Sequence, residues 1–207
     1  MFKKVLVVIA IAILTAGSAQ AQLRFGARAG FNLTNLSGDV NNTKFKPGFQ
    51  IGAVGDYSIN EAFAIQPGLV FATQGCAVKE TGYENKMTLN YLQVPINAQY
   101  KLNLGGKTLL LQAGPYLGFG LGGKEKGKED FDGDGNWEDF DEKIKMGSGN
   151  DADFKTFDFG IGLGAGIQFG NIQAGLGYNL GLANINNGTG SIKNGGLAIT
   201  LTYLFGK

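Results

Sequence analysis

The sequence contains no histidine among its 207 residues. The side chain most often used as a general base at neutral pH is therefore missing. There is one cysteine, Cys76, so no internal disulfide can form. A free thiol in a loop, without a reactive role, is the expectation for it. Four prolines stand against thirty-five glycines. Glycine costs about 1 kcal/mol at a helix-interior position, which leaves little room for helices. Past the first two dozen residues, no segment is long and apolar enough to cross a bilayer as a helix. Charge of one sign is also lacking. The formal net charge is +1, which does not point to a nucleic-acid partner.

The N-terminus carries what the rest lacks. Lys3 and Lys4 precede an apolar run from Val5 to Leu14, and Ala19-Gln20-Ala21 is a small-residue cleavage site. This pattern is a secretory signal peptide over residues 1–21, removed after Ala21. The apolar run is shorter than the ~20 residues a membrane span needs. No cysteine lies near the cleavage site to carry a lipid anchor. The remaining chain, Gln22 to Lys207, has a net charge of −1 and forms one domain.

The clearest signal in that domain runs from Phe157 to Leu182. Phe157, Phe159, Ile161, Leu163, Ala165, Ile167 and Phe169 fall on one parity, and Asp158, four glycines and Gln168 on the other. Gly170-Asn171 interrupts the pattern. Ile172, Ala174, Leu176, Tyr178, Leu180 and Leu182 then alternate with Gln173, Gly175, Gly177, Asn179 and Gly181. Period two means extended strand, because successive side chains leave a strand on opposite faces. The two residues flanking the turn, Phe169 and Ile172, are both apolar, as a two-residue hairpin requires.

The polar face of this hairpin decides the class. It holds one charge, Asp158, among eleven residues. A water-facing sheet surface is roughly 25–35% charged. This face is too poor in charge for water, and it is too small for an ordinary core to pack against. It suits the crowded lumen of a narrow barrel whose apolar face meets lipid. The competing reading is a soluble, lipocalin-like barrel, which alternates in the same way.

The same parity extends over the domain. A first strand covers Leu23 to Leu33, with Arg24 and Arg28 on the inward parity. A second covers Gly48 to Ile59, with Gln50, Asp56 and Ser58 inward. After a turn at Asn60–Ala62, a third carries Phe63, Ile65, Leu69 and Phe71 outward. A fourth places Leu92 to Leu102 outward on even numbers, and Gln93, Asn97, Gln99 and Lys101 inward. Leu89 and Tyr91 are out of phase with that outward set, so a bulge is expected near Asn90. A fifth runs from Leu109 to Leu121, and the hairpin supplies the sixth and seventh. The eighth carries Leu197, Ile199, Leu201, Tyr203 and Phe205 outward. Pro67, Pro95 and Pro115 fall inside strands, where each removes a ladder donor, and a bulge is expected beside each.

Eight strands are an even number and leave no free edge once closed. The expected fold is an all-β, eight-stranded antiparallel transmembrane β-barrel. Connections at Asn60–Ala62, Asn103–Thr108 and Gly170-Asn171 are short. Those at Thr34–Pro47, Thr73–Thr88, Gly122–Thr156 and Ala183–Gly196 are long. Short periplasmic turns and long outer loops are the habit of outer-membrane barrels, so both termini are expected in the periplasm. Outward aromatics gather at strand ends. Tyr57, Phe63, Tyr100, Phe169, Tyr203 and Phe205 make a lower belt; Phe31, Phe49, Phe71, Phe119 and Phe157 make an upper one.

The signal peptide, the Gly-rich alternating strands, Tyr91-Leu92-Gln93-Val94-Pro95, Gly114-Pro115-Tyr116-Leu117-Gly118 and the aromatic last strand together carry a resemblance. The chain resembles the PorT-like outer-membrane β-barrels of the Bacteroidota and, more loosely, small OmpX/OmpW/OmpA-type barrels. The resemblance covers the whole domain and implies the outer membrane, its lipid, and the barrel-assembly machinery as surroundings. Its motifs are structural and bring no activity with them. Phe205 is followed by Gly206-Lys207, whereas proteobacterial barrels usually end on the aromatic.

The candidate functions then narrow. The known chemistries of small membrane barrels use a histidine, and there is none, so a non-enzymatic role is expected. A wide porin needs about sixteen strands, while eight give a lumen that side chains just fill. Arg24, Arg28, Asp56, Lys101 and Asp158 are the charged inward residues, and an ion pair between Arg24 and Asp56 fits their positions near the turn end. The lumen residues read either as a hydrogen-bonded plug or as a narrow path for small solutes or ions. The leading function is a structural or interaction barrel presenting its outer loops to a surface or periplasmic partner. The third loop, 122–156, dominates: from Gly122 to Phe154 it has five Lys and eleven Asp/Glu. Within it, Asp130-Phe131-Asp132-Gly133-Asp134-Gly135 matches the start of a calcium loop. Asp130, Asp132, Asp134, Asn136 and Asp141 would be its ligands at positions one, three, five, seven and twelve. Asp141 stands where Glu is usual. Any calcium bound here is expected to be weak, around 10⁻⁴–10⁻³ M, and to order the loop. No other cofactor is expected.

Overall fold

Residues 23–130, 135–149 and 151–206 are described by the computed structural model of the chain. The signal-peptide residues lie outside that range, as do Phe131 to Asp134. Ten strands appear in order: β1 (Leu23–Gly38), β2 (Thr43–Lys44), β3 (Lys46–Ser58), β4 (Phe63–Glu80), β5 (Tyr83–Asn103), β6 (Thr108–Glu129), β7 (Glu138–Ile144), β8 (Phe157–Phe169), β9 (Ile172–Gly181) and β10 (Ile192–Leu204). Eight of them close a ring in the order β1-β3-β4-β5-β6-β8-β9-β10 and back to β1, every neighbour antiparallel. The expected eight-stranded barrel is the fold of this chain, and β2 and β7 are additions outside the ring.

Burial follows parity. Along β1, Phe25, Phe31 and Leu33 are exposed while Arg28, Asn32 and Thr34 are buried. Leu163, Leu176, Ile199 and Leu201 show more than half their surface on the outside of the wall. Water would not tolerate so continuous an apolar exterior, so this surface faces lipid. Both aromatic belts form. Phe63 meets Tyr100 at 5.1 Å between ring centroids in the lower one, and Phe49 meets Phe71 at 5.8 Å in the upper. Phe71, Leu92, Phe119 and Phe157 lie in one cross-strand row. Eight residues separate Phe63 from Phe71 along β4. At about 3.3 Å per residue and a tilt near 40° the belts stand roughly 20 Å apart there.

Three expectations need correction. The first concerns the loops. Thr73–Thr88 is not a loop: β4 and β5 continue past the upper belt as a paired hairpin that turns at Thr81-Gly82. Likewise β6 continues to Glu129 and returns as β7, so residues 122–129 and 138–144 of the third loop are sheet. Together β2, β4, β5, β6 and β7 make a five-stranded blade that rises from one side of the barrel.

The second concerns the prolines. No bulge stands beside Pro67, Pro95 or Pro115. The pairing skips two residues opposite each proline, on one side only, and the count of residues is equal on both strands. A strand residue directs its N–H and C=O to one neighbour, so a missing N–H interrupts one ladder and leaves the other intact. Pro115, for instance, still pairs with Ile161 of β8.

The third concerns Asn90. The register does shift there, but the extra residue is on the facing strand: Asn90 pairs with Gly122 and Tyr91 with Gly120, which leaves Leu121 over. Leu89 and Tyr91 are not displaced. Both point inward and both are fully buried.

Candidate functional site: a plugged lumen and an outer blade

The inward residues form three levels. At the short-turn end, Asp56 is fully buried and accepts from Arg24 at 2.8 Å and from Lys101 at 3.2 Å. Lys101 also donates to Ser58 at 3.2 Å. Leu204, fully buried, closes the level from β10.

In the middle, Arg28 donates from Nε to Thr202 at 3.0 Å and from its terminal nitrogen to Gln66. Gln66 donates to Gln173 at 3.0 Å, and Gln173 donates to Gln168 at 3.0 Å. Strands β4 and β9, which carry Gln66 and Gln173, stand opposite each other in the ring. This chain of amides therefore spans the lumen. A central cavity of about 60 Å³ is lined by Arg28, Gln50, Gln93, Asn97 and Gln112 among others. That is room for a few water molecules. Inward glycines let the strands approach this closely. A Cβ on Gly114 would sit 1.9 Å from the Ile96 carbonyl oxygen.

Near the long-loop end, Asp158 is fully buried and accepts from Tyr116 at 3.3 Å and Asn194 at 3.0 Å. Above it lies an apolar lid of Leu36, Cys76, Leu89, Tyr91, Ile144, Phe154 and Ile185. These residues come from β1, β4, β5, β7 and the two segments that follow β7 and β9. The segments are tied by isolated bridges from Phe154 to Met146 and Asn186. Cys76 thus belongs to a buried strand, not to a loop, and burial pushes its thiol up to about 11.

Arg24, Arg28, Asp56, Lys101 and Asp158 therefore all face the lumen and are brought into two separate clusters and one cross-lumen chain. The lid residues and Asn194 were missed by sequence reasoning. Tyr91 and Leu89 share the parity of Gln93, and that signal was available.

The acidic-loop residues are placed differently. Asp130 Oδ2 accepts the backbone N–H of Gly135 at 3.1 Å. Asp132 and Asp134 lie outside the described residues. Asp141 is not near Asp130: it sits on β7 opposite Lys126, which donates to it at 2.7 Å and holds its carboxyl below the usual carboxylate range. Among the described residues no group of three or more acidic, Cys or His side chains is placed to hold a metal ion.

An apolar outer wall, two aromatic girdles, a polar plugged lumen and strand connections that differ in length at the two ends define a small outer-membrane β-barrel. The chain belongs to the outer membrane protein beta-barrel domain family, whose model matches residues 18–187. Among solved structures it is similar to Neisserial surface protein A, with 16% identity, 87% of this chain and 97% of that chain covered, and a TM-score of 0.47. It is also similar to Ail, the attachment invasion locus protein of Yersinia pestis, with 15% identity, 89% and 99% covered, and a TM-score of 0.45. No curated protein matches the chain.

Proposed function

We propose that this chain is a non-enzymatic outer-membrane barrel that does not conduct, and that its task is to hold a rigid β-blade outside the cell for contact with a partner. One observation carries the reading: the lumen is closed by the lid of Leu36, Cys76, Leu89, Tyr91, Ile144, Phe154 and Ile185, while β4 to β7 continue past the belt as paired sheet. The cross-lumen chain from Arg28 through Gln66 to Gln173 supports it and counts against the narrow solute path. The absence of histidine supports a non-catalytic role. In this reading residues 1–21 are removed on export, both termini and the short-turn end of the barrel face the periplasm, and insertion depends on the barrel-assembly machinery. The Tyr91–Pro95 and Gly114–Gly118 stretches support a place among PorT-like barrels of the Bacteroidota. Calcium at Asp130, Asp132, Asp134 and Asn136 would order the tip of the blade, with Asp141 outside the ligand set.

The test has two arms. Purified protein in a planar bilayer should be electrically silent; steady unitary conductance would sink the plugged-lumen reading. Intact cells treated with a membrane-impermeant biotin ester should label Lys79 and Lys128 at the blade tip. Labelling only after the outer membrane is opened would reverse the orientation.

A further inference from the structure

The run Lys124-Glu125-Lys126-Gly127-Lys128-Glu129 alternates in sign, and β6 sorts it onto two faces. One face of the blade carries Lys124, Lys126 and Lys128; the other carries Glu125 and Glu129. The register of the neighbours extends the sorting. Lys86 of β5 lies opposite Lys126, Lys143 of β7 lies opposite Lys124, and Lys44 of β2 and Lys86 both lie opposite Ala77 of β4.

The lysine face is the continuation of the lipid-facing wall. Between Leu92 and Lys86 the β4–β5 register does not change, so Lys86 shares the outward face of Leu92. On β6 the extra residue Leu121 resets the parity, and Lys124 comes to share the face of Phe119. The bulge is what turns lysine outward and glutamate inward.

Charge is also graded along the blade. At the tip each lysine has an acid across from it: Lys79 pairs with Glu84, Lys126 with Asp141, and Lys128 faces Asp139. Toward the membrane the acids stop. Lys86, Lys124 and Lys143 have no carboxylate within ion-pair distance among the described residues. Like charges directly opposite each other destabilise a sheet. Lys86 with Lys126 is one such pair, offset by Asp141; Lys124 with Lys143, nearer the membrane, is a second with no carboxylate paired to it, and both border a hollow of about 600 Å³ that the exposed Leu121 also lines.

We propose that this concave lysine face binds the phosphate groups of a phosphorylated glycolipid in the outer leaflet. Position selects the occupant. Lys124 is five residues past Phe119 of the belt and Lys86 six from Leu92. That is about 13–15 Å of height at a tilt near 40°. The headgroup layer occupies about the first 5–8 Å above the hydrocarbon, so the lysine backbones stand just over it and their flexible stems reach down to phosphates borne on a sugar headgroup, while the surface looks sideways over the leaflet. Bound phosphate would relieve the Lys124–Lys143 pair and supply Lys86 with the counter-charge it lacks. The inference rests on the blade being outside the cell.

The experiment uses the folded mature protein in nanodiscs of phosphatidylcholine, with and without diphosphorylated lipid A. Acetylation of each lysine is followed by mass spectrometry. Lys86, Lys124 and Lys143 should be protected several-fold by lipid A, and Lys79 and Lys128 should not. In detergent, the Lys86→Gln/Lys124→Gln/Lys143→Gln variant should bind lipid A on the order of 100-fold more weakly than wild type, because each lysine near an anionic surface contributes about 1 kcal/mol. Lys79→Gln/Lys128→Gln should bind like wild type, and heat-modifiable gel migration checks that both variants fold. Absence of selective protection, or lipid A stripped of phosphate binding equally well, overturns the proposal. So does protection by soluble heparin in neutral nanodiscs with none from lipid A, which would make the surface a site for a soluble polyanion. Because nanodiscs expose both sides of the barrel, a blade facing the periplasm would fail the cell-labelling test yet leave this result unchanged.

Discussion

Asp56 takes two cations at once, Arg24 at 2.8 Å from the adjoining strand β1 and Lys101 at 3.2 Å from β5. One carboxylate thus ties three strands at the short-turn end. It is fully buried, so its removal leaves two positive groups facing each other in a confined space. Asp56→Ala should cost about 3–5 kcal/mol, the range for breaking a buried ion pair by deleting one partner. Urea unfolding in bilayers measures it. Loss of less than about 1 kcal/mol would mean that water already screens the cluster.

Leu176 lies in the middle of β9 with more than half its surface exposed. Leu176→Arg should destabilise the barrel by roughly 2–4 kcal/mol in bilayers if the site is near the midplane. An unchanged unfolding midpoint would contradict the assignment of that face to lipid.

Cys76 is buried in the lid, and its thiol is pushed up to about 11. At pH 8 about one part in a thousand is thiolate. A maleimide or disulfide reagent should therefore leave the folded protein unmodified and react promptly once it is unfolded. Prompt reaction with the folded barrel would show that the lid opens.

Asp141 and Lys126 form an exposed pair across β6 and β7. The pair holds the Asp141 carboxyl low, so its stabilising effect is full above the ordinary Asp range and is lost as pH falls through the lowered value. Asp141→Asn should loosen the end of this hairpin. It should leave any calcium response of Trp137 fluorescence unchanged, whereas Asp130→Ala/Asp132→Ala should abolish that response. A wild-type trace flat to ~10 mM calcium, or one that magnesium reproduces, leaves a solvated acidic turn.

The barrel wall was legible because each of its strands alternates apolar with polar, and that contrast survives in the sequence as period two. The blade hid from the same test. In Lys124 to Glu129 both parities are hydrophilic, so the alternation is of sign and not of polarity. Gly75 and Gly122, with φ of +124° and +123°, sit inside strands in a conformation that side-chain-bearing residues rarely adopt. The lid was hard to see for another reason. Leu36, Ile144 and Ile185 lie far apart in the chain, and only closure of the ring brings them together. The prolines misled because a bulge is the usual remedy for a missing donor, and here a one-sided gap sufficed.

The blade grows from β4, β5 and β6, and β1 and β10 also stay paired as far as Gly38 and Ile192, whereas β8 and β9 stop at Phe157 and Gly181 and meet the short, mutually tied segments of the rim. The molecule therefore has a windward and a lee side in the plane of the membrane. A neighbouring protein drifting through the leaflet meets a charged wall from one direction and a low sill from the other.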